Sequence, residues 1–288
     1  MEATAPPGGM TVDQIWEAYR EDRAGRSIAE SMRHTGKAVL PAFGALRPEQ
    51  ITAHDCRDQI AAWRAEGKHN GTIWTRMNHL RIALSWAEKR RLIDRAPHIE
   101  RPQQPAPKDR WLEQAEVDAL LSAPAAPHIR LAIILMLTSC ARITAALELT
   151  WDRVDFQRGF VNLRTGEGQR KGRAIVPMNN LLRGALQTAR EQALSDHVIE
   201  WAGDPVKSIK RGFAQAVKAA RLKDVTPHVL RHTGAVHLAA GGVPMAKISQ
   251  YLGHTNTATT ERVYARFAPD HLKDAAAVLE YGKLKVVK

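Results

Sequence analysis

Apolar residues recur at helical spacing along most of the chain and at strand spacing in only two short stretches. The clearest stripe, Ile73, Met77, Leu80, Leu84 and Ala87, advances by 4, 3, 4 and 3 residues and predicts a helix over 72–92. Thr11 is placed to cap a helix that turns Val12, Ile15, Trp16 and Tyr19 to one face. Thr52 opens another, with Asp55 at the capping-box position and Ile60 and Trp63 facing inward. The periodicity then stops. Residues 96–110, APHIERPQQPAPKDR, hold four prolines and read as a linker stiffened toward extended conformations. Beyond it an amphipathic helix is expected over 113–121 and a buried one through 131–137. Two β-like segments follow, 154–163 and 174–178, with the basic, glycine-rich run RTGEGQRKGR between them. Helices are expected near 179–193, 206–221, 227–240, 245–252, 258–267 and 270–281. The fold class is therefore mainly α with a small β-sheet. It comprises a loose end over 1–10, an all-helical domain over 11–95, the linker, and an α+β domain over 111–288.

Charge changes this picture more than composition does. With 44% hydrophobic residues, a chain of 288 residues can fill two cores. Lys and Arg number 42 against 30 Asp and Glu, a formal charge of +12, and +9 of that lies beyond Ala106. So basic a chain suits a polyanion, of which nucleic acid is the commonest; a solvated basic surface is the plainer alternative. Arg76, Lys89 and Arg90 lie off the apolar stripe of the 72–92 helix, where they form either a phosphate-contacting face or an ordinary soluble one. Cys56 and Cys140 are too far apart in sequence for a C-x-x-C pair, which excludes a thiolate zinc ribbon and suits a reducing cytoplasm. The opening MEATAPPGGM carries no secretory signal pattern, and the apolar stretch 131–141 is too short to span a bilayer, so no membrane role is expected.

The distinctive residues collect in the second domain. The segment TPHVLRHT, 226–233, sets His228 and Arg231 at i and i+3 on one face near a helix start, where the backbone favours an anion. YLGH ends at His254, and Tyr264 follows ten residues later within TTERVYAR. Upstream, Arg142 follows the buried helix, and Lys171 is the only lysine between the β-like segments. Each piece alone has an ordinary explanation: Arg142 as a helix C-cap, Tyr264 as a core aromatic. His228 and His232 have the i, i+4 spacing of a zinc pair, but Val229 stands where that motif wants Glu, so no metal is expected.

Taken in order, Arg, hairpin Lys, His-x-x-Arg, Leu-Gly-His and Tyr make a chain that resembles the tyrosine recombinase, or phage integrase, family. The resemblance covers 111–281 as the catalytic domain and about 10–95 as the helical core-binding domain. It implies Arg142, Lys171, His228, Arg231, His254 and Tyr264 as catalytic residues, with Arg164 the alternative to Lys171 because hairpin length varies. Two positions depart from the family pattern. Ala145 stands where an acidic residue usually follows the first arginine, with Glu148 a turn further on and on a different face. Cys140 stands where a glycine usually precedes that arginine.

The resemblance implies a site-specific recombinase, an integrase of a prophage or other mobile element, that cuts and rejoins duplex DNA through a 3′-phosphotyrosyl link. Such a link conserves the energy of the broken bond, so neither cofactor nor metal is required. Arg142 and Arg231 would hold the non-bridging oxygens, and His254 would donate to them. His228 would accept the tyrosine proton, and Lys171 would protonate the departing 5′-oxygen. Family members act as tetramers on DNA, some with an accessory DNA-bending factor. Leu272, Ala276 and Leu279 would dock a C-terminal helix on a neighbour or on its own domain. A type IB topoisomerase-like relaxing enzyme shares this chemistry, and Ala145 keeps a catalytically weak or silent DNA-binding protein in view.

Overall fold

A computed structural model describes residues 9–105, 109–164, 174–269 and 272–279. The chain divides into two compact units, Met1–Lys108 and Asp109–Lys288. Among the described residues the fold is mostly helical with two small antiparallel sheets.

The first unit holds α1 (Val12–Asp22), α2 (Ser27–Phe43), α3 (Ala53–Ala65) and α4 (Asn70–Lys89), with a 3₁₀ turn at Pro48–Gln50. Thr11 caps α1 and Thr52 caps α3, each by a reciprocal capping box, with Gln14 and Asp55. The second helix has no counterpart among those read from the sequence. Gly36 and Pro41 look like helix breakers, yet both lie inside it. Gly36 is there for packing: a Cβ at that position would lie 2.9 Å from Trp16 Nε1, so only glycine lets α1 and α2 approach this closely. Ile15, Trp16, Met32, Phe43, Ile73, Met77, Leu80 and Leu84 fill the core.

The second unit opens with α5 (Gln114–Ser122), α6 (Pro127–Ser139) and the short α7 (Ile143–Leu147). Almost every residue of α6 from Ile129 onward is buried, as befits a helix that is apolar all round. A three-stranded sheet follows: β1 (Val154–Asp155), β2 (Phe160–Asn162) and β3 (Ile175–Pro177) in that order. The first β-like segment is thus a hairpin rather than one strand, because Gly159 turns the chain with φ +76°. Strands β2 and β3 pair through Val161 and Val176, and Leu163 N–H donates to the Ala174 carbonyl. Lys171, between them in sequence, lies outside the described residues.

Next come α8 (Asn180–Glu191), β4 (Glu200–Trp201), β5 (Asp204–Pro205) and α9 (Lys210–Ala219). The expected helix over 206–221 therefore starts later. A second hairpin precedes it, turning through Ala202 and Gly203, both at positive φ. The unit closes with α10 (Pro227–Ala240), α11 (Met245–Leu252), α12 (Thr257–Tyr264), a 3₁₀ turn at Ala265–Phe267, and α13 (Lys273–Val278). Of the expected 270–281 helix, residues 270, 271, 280 and 281 lie outside the described residues; α13 covers Lys273–Val278, and Leu272, Val278 and Leu279 around it are exposed. No helix among the described residues is long and apolar enough to cross a membrane.

Candidate active site

Four helix ends deliver the site. Helix α6 ends at Cys140, which adopts the left-handed conformation, φ 51° and ψ 28°, usually left to glycine. That turn aims the Cys140 carbonyl inward and sets Arg142, half-buried, as the residue that begins α7. The Cys140 thiol is buried and its pKa is pushed up to about 12, so it packs rather than reacts. Its sulfur fits against Gly234 of α10, where a Cβ would lie 2.6 Å from Sγ. A cysteine in the turn and a glycine on the facing helix are thus one packing solution.

Helix α10 starts at Thr226, whose hydroxyl accepts from Val229 N–H, with Pro227 in the first turn. Thr233 accepts from Leu112 N–H at 2.9 Å and His237 Nε2 meets Leu112 O at 2.9 Å, tying α10 to the segment before α5. His228, Arg231 and His232 share one face of α10. Arg231 is 4% exposed. Its Nη1 donates to Cys140 O at 2.6 Å and its Nη2 to Leu252 O at 2.8 Å. Burial, then the nearby Arg142, brings its pKa down to about 10, still well above neutrality.

Helix α11 ends at Gly253, left-handed with φ 66°, which turns His254 back toward Arg231. His254 Nε2 lies 3.2 Å from Arg231 Nη2, and Nδ1 lies 2.9 Å from the hydroxyl of Thr260, which is fully buried. A guanidinium only donates, so Nε2 accepts and Nδ1 carries the proton in this network. Burial, together with Arg231 and Arg142, depresses the His254 pKa to about 4, leaving the ring neutral at pH 7.

Tyr264 closes α12 and is 7% exposed. Burial holds its phenol above the ordinary value, against the pull of Arg231 and Arg142. The nitrogen on its hydroxyl belongs to His232: Nδ1 to Oη is 3.2 Å. The family resemblance assigns the tyrosine proton to His228 instead. His228 opens to solvent, and partial desolvation followed by the charges of Arg231 and Arg142 lowers its pKa. It faces the arginines and makes no hydrogen bond to Tyr264 among the described residues.

Of the residues singled out from sequence, Arg231, His254 and Tyr264 are brought together, with Arg142 and His228 within electrostatic reach of them. Lys171 lies outside the described residues. Arg164, its alternative, is exposed, and its backbone carbonyl accepts from Arg153 at 3.0 Å. Ala145 is buried in the core of its unit, where a carboxylate would lose its hydration. Missed by sequence reasoning were His232, seen only as a zinc candidate, the carbonyls of Cys140 and Leu252, and Thr260. The i, i+4 pairing of His232 with His228 was the available signal. No cluster of three or more His, Cys, Asp or Glu among the described residues could hold a metal ion.

In the first unit, Arg76 departs from the solvent-facing role the stripe implied. It is half-buried, its guanidinium lies 4.8 Å from the centre of the Trp63 ring, and its Nη1 is buried without a hydrogen-bond partner among the described residues. Arg90 pairs with Asp22 at 3.0 Å, and Lys89 is exposed.

Comparison with known proteins adds four likenesses. The pattern of the Phage integrase family matches residues 110–271. The tyrosine recombinase XerA of Thermococcus kodakarensis is 28% identical over 232 residues, spanning 78% of this chain and 81% of that protein. An integrase of Streptomyces ambofaciens is 26% identical, spanning 96% of this chain and 81% of its own length. In structure, the Tn1549 transposon integrase, solved in complex with transposon right end DNA, is similar with a TM-score of 0.76 at 20% identity. That likeness spans 94% of this chain and all of the other.

Proposed function

Since the chain belongs to the phage integrase family, whose pattern matches more than half of it, we propose that it is a tyrosine site-specific recombinase that cleaves and rejoins duplex DNA. The observation that carries the reading is the state of Arg231. It is a buried cation whose partners among the described residues are two backbone carbonyls and a neutral imidazole, with the cationic Arg142 close by. A buried charge is costly unless an anion joins it. A scissile phosphodiester placed beside Tyr264 supplies that anion.

The chemistry follows from the groups present. Phenolate attack on phosphorus gathers negative charge on the non-bridging oxygens. Arg142 and Arg231 are forked, permanently charged donors for them, and preorganised donors of this kind are typically worth about 3–4 kcal/mol each. Bound phosphate raises the His254 pKa and lets Nε2 carry a proton toward the anion. The product is a 3′-phosphotyrosyl link at Tyr264 and a free 5′-hydroxyl, with Lys171 the proton donor to the departing 5′-oxygen. The basic excess of the second unit supports phosphate binding that weakens steeply with salt. The helical first unit is assigned as a core-binding DNA domain, with exposed Lys89 its clearest phosphate contact. The finer reading is an integrase of a prophage or other mobile element, working in the cytoplasm as a tetramer on its crossover sites. An accessory DNA-bending factor belongs to the same reading.

The test is covalent capture. Wild-type and Tyr264→Phe proteins are incubated, without added metal, with nicked duplexes tiled from the DNA flanking the coding sequence. The expected result is a detergent-resistant protein–DNA adduct from wild type and none from the variant. Tight, salt-sensitive binding without any adduct would make the chain a silent DNA-binding protein.

A further inference from the structure

The Tyr264 hydroxyl has one hydrogen-bond partner among the described residues, His232 Nδ1 at 3.2 Å, and the two rings pack at 5.3 Å between centres. The far nitrogen of that imidazole, Nε2, is buried and has no hydrogen bond among the described residues. Its nearest anion is Asp109 Oδ1 at 3.5 Å, slightly long for a hydrogen bond. Asp109 is in turn held by the guanidinium of Arg266, from the 3₁₀ turn just after Tyr264. One chain of groups therefore runs Tyr264, His232, Asp109, Arg266. A nucleophile within reach of an imidazole, with a carboxylate on the imidazole's other nitrogen, is the arrangement that activates hydroxyl nucleophiles.

We propose that His232 is the general base for Tyr264, and that Asp109, fixed by Arg266, is the positioning residue that selects its tautomer; this rests on the recombinase reading. With the Nε2 proton directed at Asp109, the Nδ1 lone pair faces the phenol. In the cleavage step the Tyr264 proton moves to His232 Nδ1 and the phenolate oxygen bonds to phosphorus. The bond from phosphorus to the 5′-oxygen breaks, and that oxygen takes a proton from the general acid. In resealing the 5′-hydroxyl attacks, the tyrosine oxygen leaves, and His232 returns its proton. His228, one turn earlier on the same helix, is then released for the phosphate, beside the arginines that lower its pKa.

The groups facing His232 are Asp109, His228, Tyr264 and Arg266. Asp109 raises the His232 pKa, against burial, His228 and Arg266, which lower it. Removing Asp109 should therefore leave a weaker base, and the rise of cleavage rate with pH should move to lower pH with a reduced plateau.

The experiment measures single-turnover adduct formation against pH on a nicked duplex that wild type captures. His232→Asn, Asp109→Asn and His228→Asn are compared, with thermal melts as the folding control. His232→Asn should lower the rate by about 10²- to 10⁴-fold and abolish its pH limb, at unchanged DNA affinity. A fluorotyrosine of lower phenol pKa at position 264 should restore much of that loss, since an already acidic phenol needs no base. Asp109→Asn should shift the limb as described. The proposal is overturned if His232→Asn cleaves like wild type, if fluorotyrosine gives no recovery, or if His228→Asn alone removes the limb. An absence of adduct from wild type itself overturns the recombinase reading instead.

Discussion

Gly234→Ala is the substitution that most directly probes how the fold holds Arg231. A Cβ there would lie 2.6 Å from Cys140 Sγ and 2.8 Å from Leu137 O, where ordinary contacts begin at 3.4 Å. The shortfall is about 0.8 Å against the side chain and about 0.6 Å against the backbone carbonyl, so α10 must move away from α6. Overpacking of this kind costs about 1–3 kcal/mol. In a domain of this size that corresponds to a melting temperature lower by roughly 3–10 °C. The same displacement draws Arg231 Nη1 off the Cys140 carbonyl, now 2.6 Å away. Misplacing a phosphate-binding group by about an ångström can cost on the order of 10²-fold in rate. Cys140→Gly alone should be close to neutral. It relieves about 1 kcal/mol of left-handed strain at φ 51° but loses a buried side chain of similar worth. Combined with Gly234→Ala it removes the sulfur clash but not the carbonyl clash, so the pair should recover about 1 kcal/mol relative to additivity. Calorimetric melts of the four proteins and single-turnover adduct rates on one duplex provide the readout. If Gly234→Ala melts and cleaves like wild type, or the cycle is additive, the α6–α10 contact does not position Arg231.

Further outcomes are expected at four residues. Arg231→Lys keeps the charge but not the fork that reaches both Cys140 O and Leu252 O, so adduct formation should fall about 10²- to 10³-fold while gel-shift affinity changes little. His254 has a folded pKa of about 4 against an ordinary 6.5, so between these values the unfolded chain binds the proton that the folded chain does not. Stability is therefore fully present above that window and declines as pH falls through it; urea midpoints should show the decline, and His254→Gln should flatten it. Lys89→Ala should weaken DNA binding alike on all sequences and reduce the slope of log affinity on log salt by about one, whereas Arg76→Ala, which unstacks Trp63, should appear in the melt.

What the sequence made legible was periodic or punctuated. The stripe from Ile73 to Ala87 and the capping signals at Thr11 and Thr52 gave helices, and the proline-rich run over 96–110 marked the approach to the division between the units. Helix α2 stayed hidden because Gly36 looks like a breaker in one dimension and is a contact surface for Trp16 in three. The β4–β5 hairpin was hidden by brevity: strands of two residues have no period to read. At the site, the family resemblance nominated candidate residues, but it could not say which of them would touch. Which histidine meets Tyr264 depends on how α12 packs on α10, and the choice of His232 over His228 is a rotation around α10 that spacing alone leaves open. The carbonyls that hold Arg231 are backbone atoms and carry no signature in residue identity.

The recombinase reading requires that Tyr264 become covalently joined to DNA. It is tested most directly by trapping the wild-type adduct on a nicked duplex, digesting protein and DNA, and locating the modified residue by mass spectrometry. The expected product is a nucleotide linked through its 3′-phosphate to the peptide containing Tyr264. A linkage to any other residue, or to a 5′-phosphate, would contradict it.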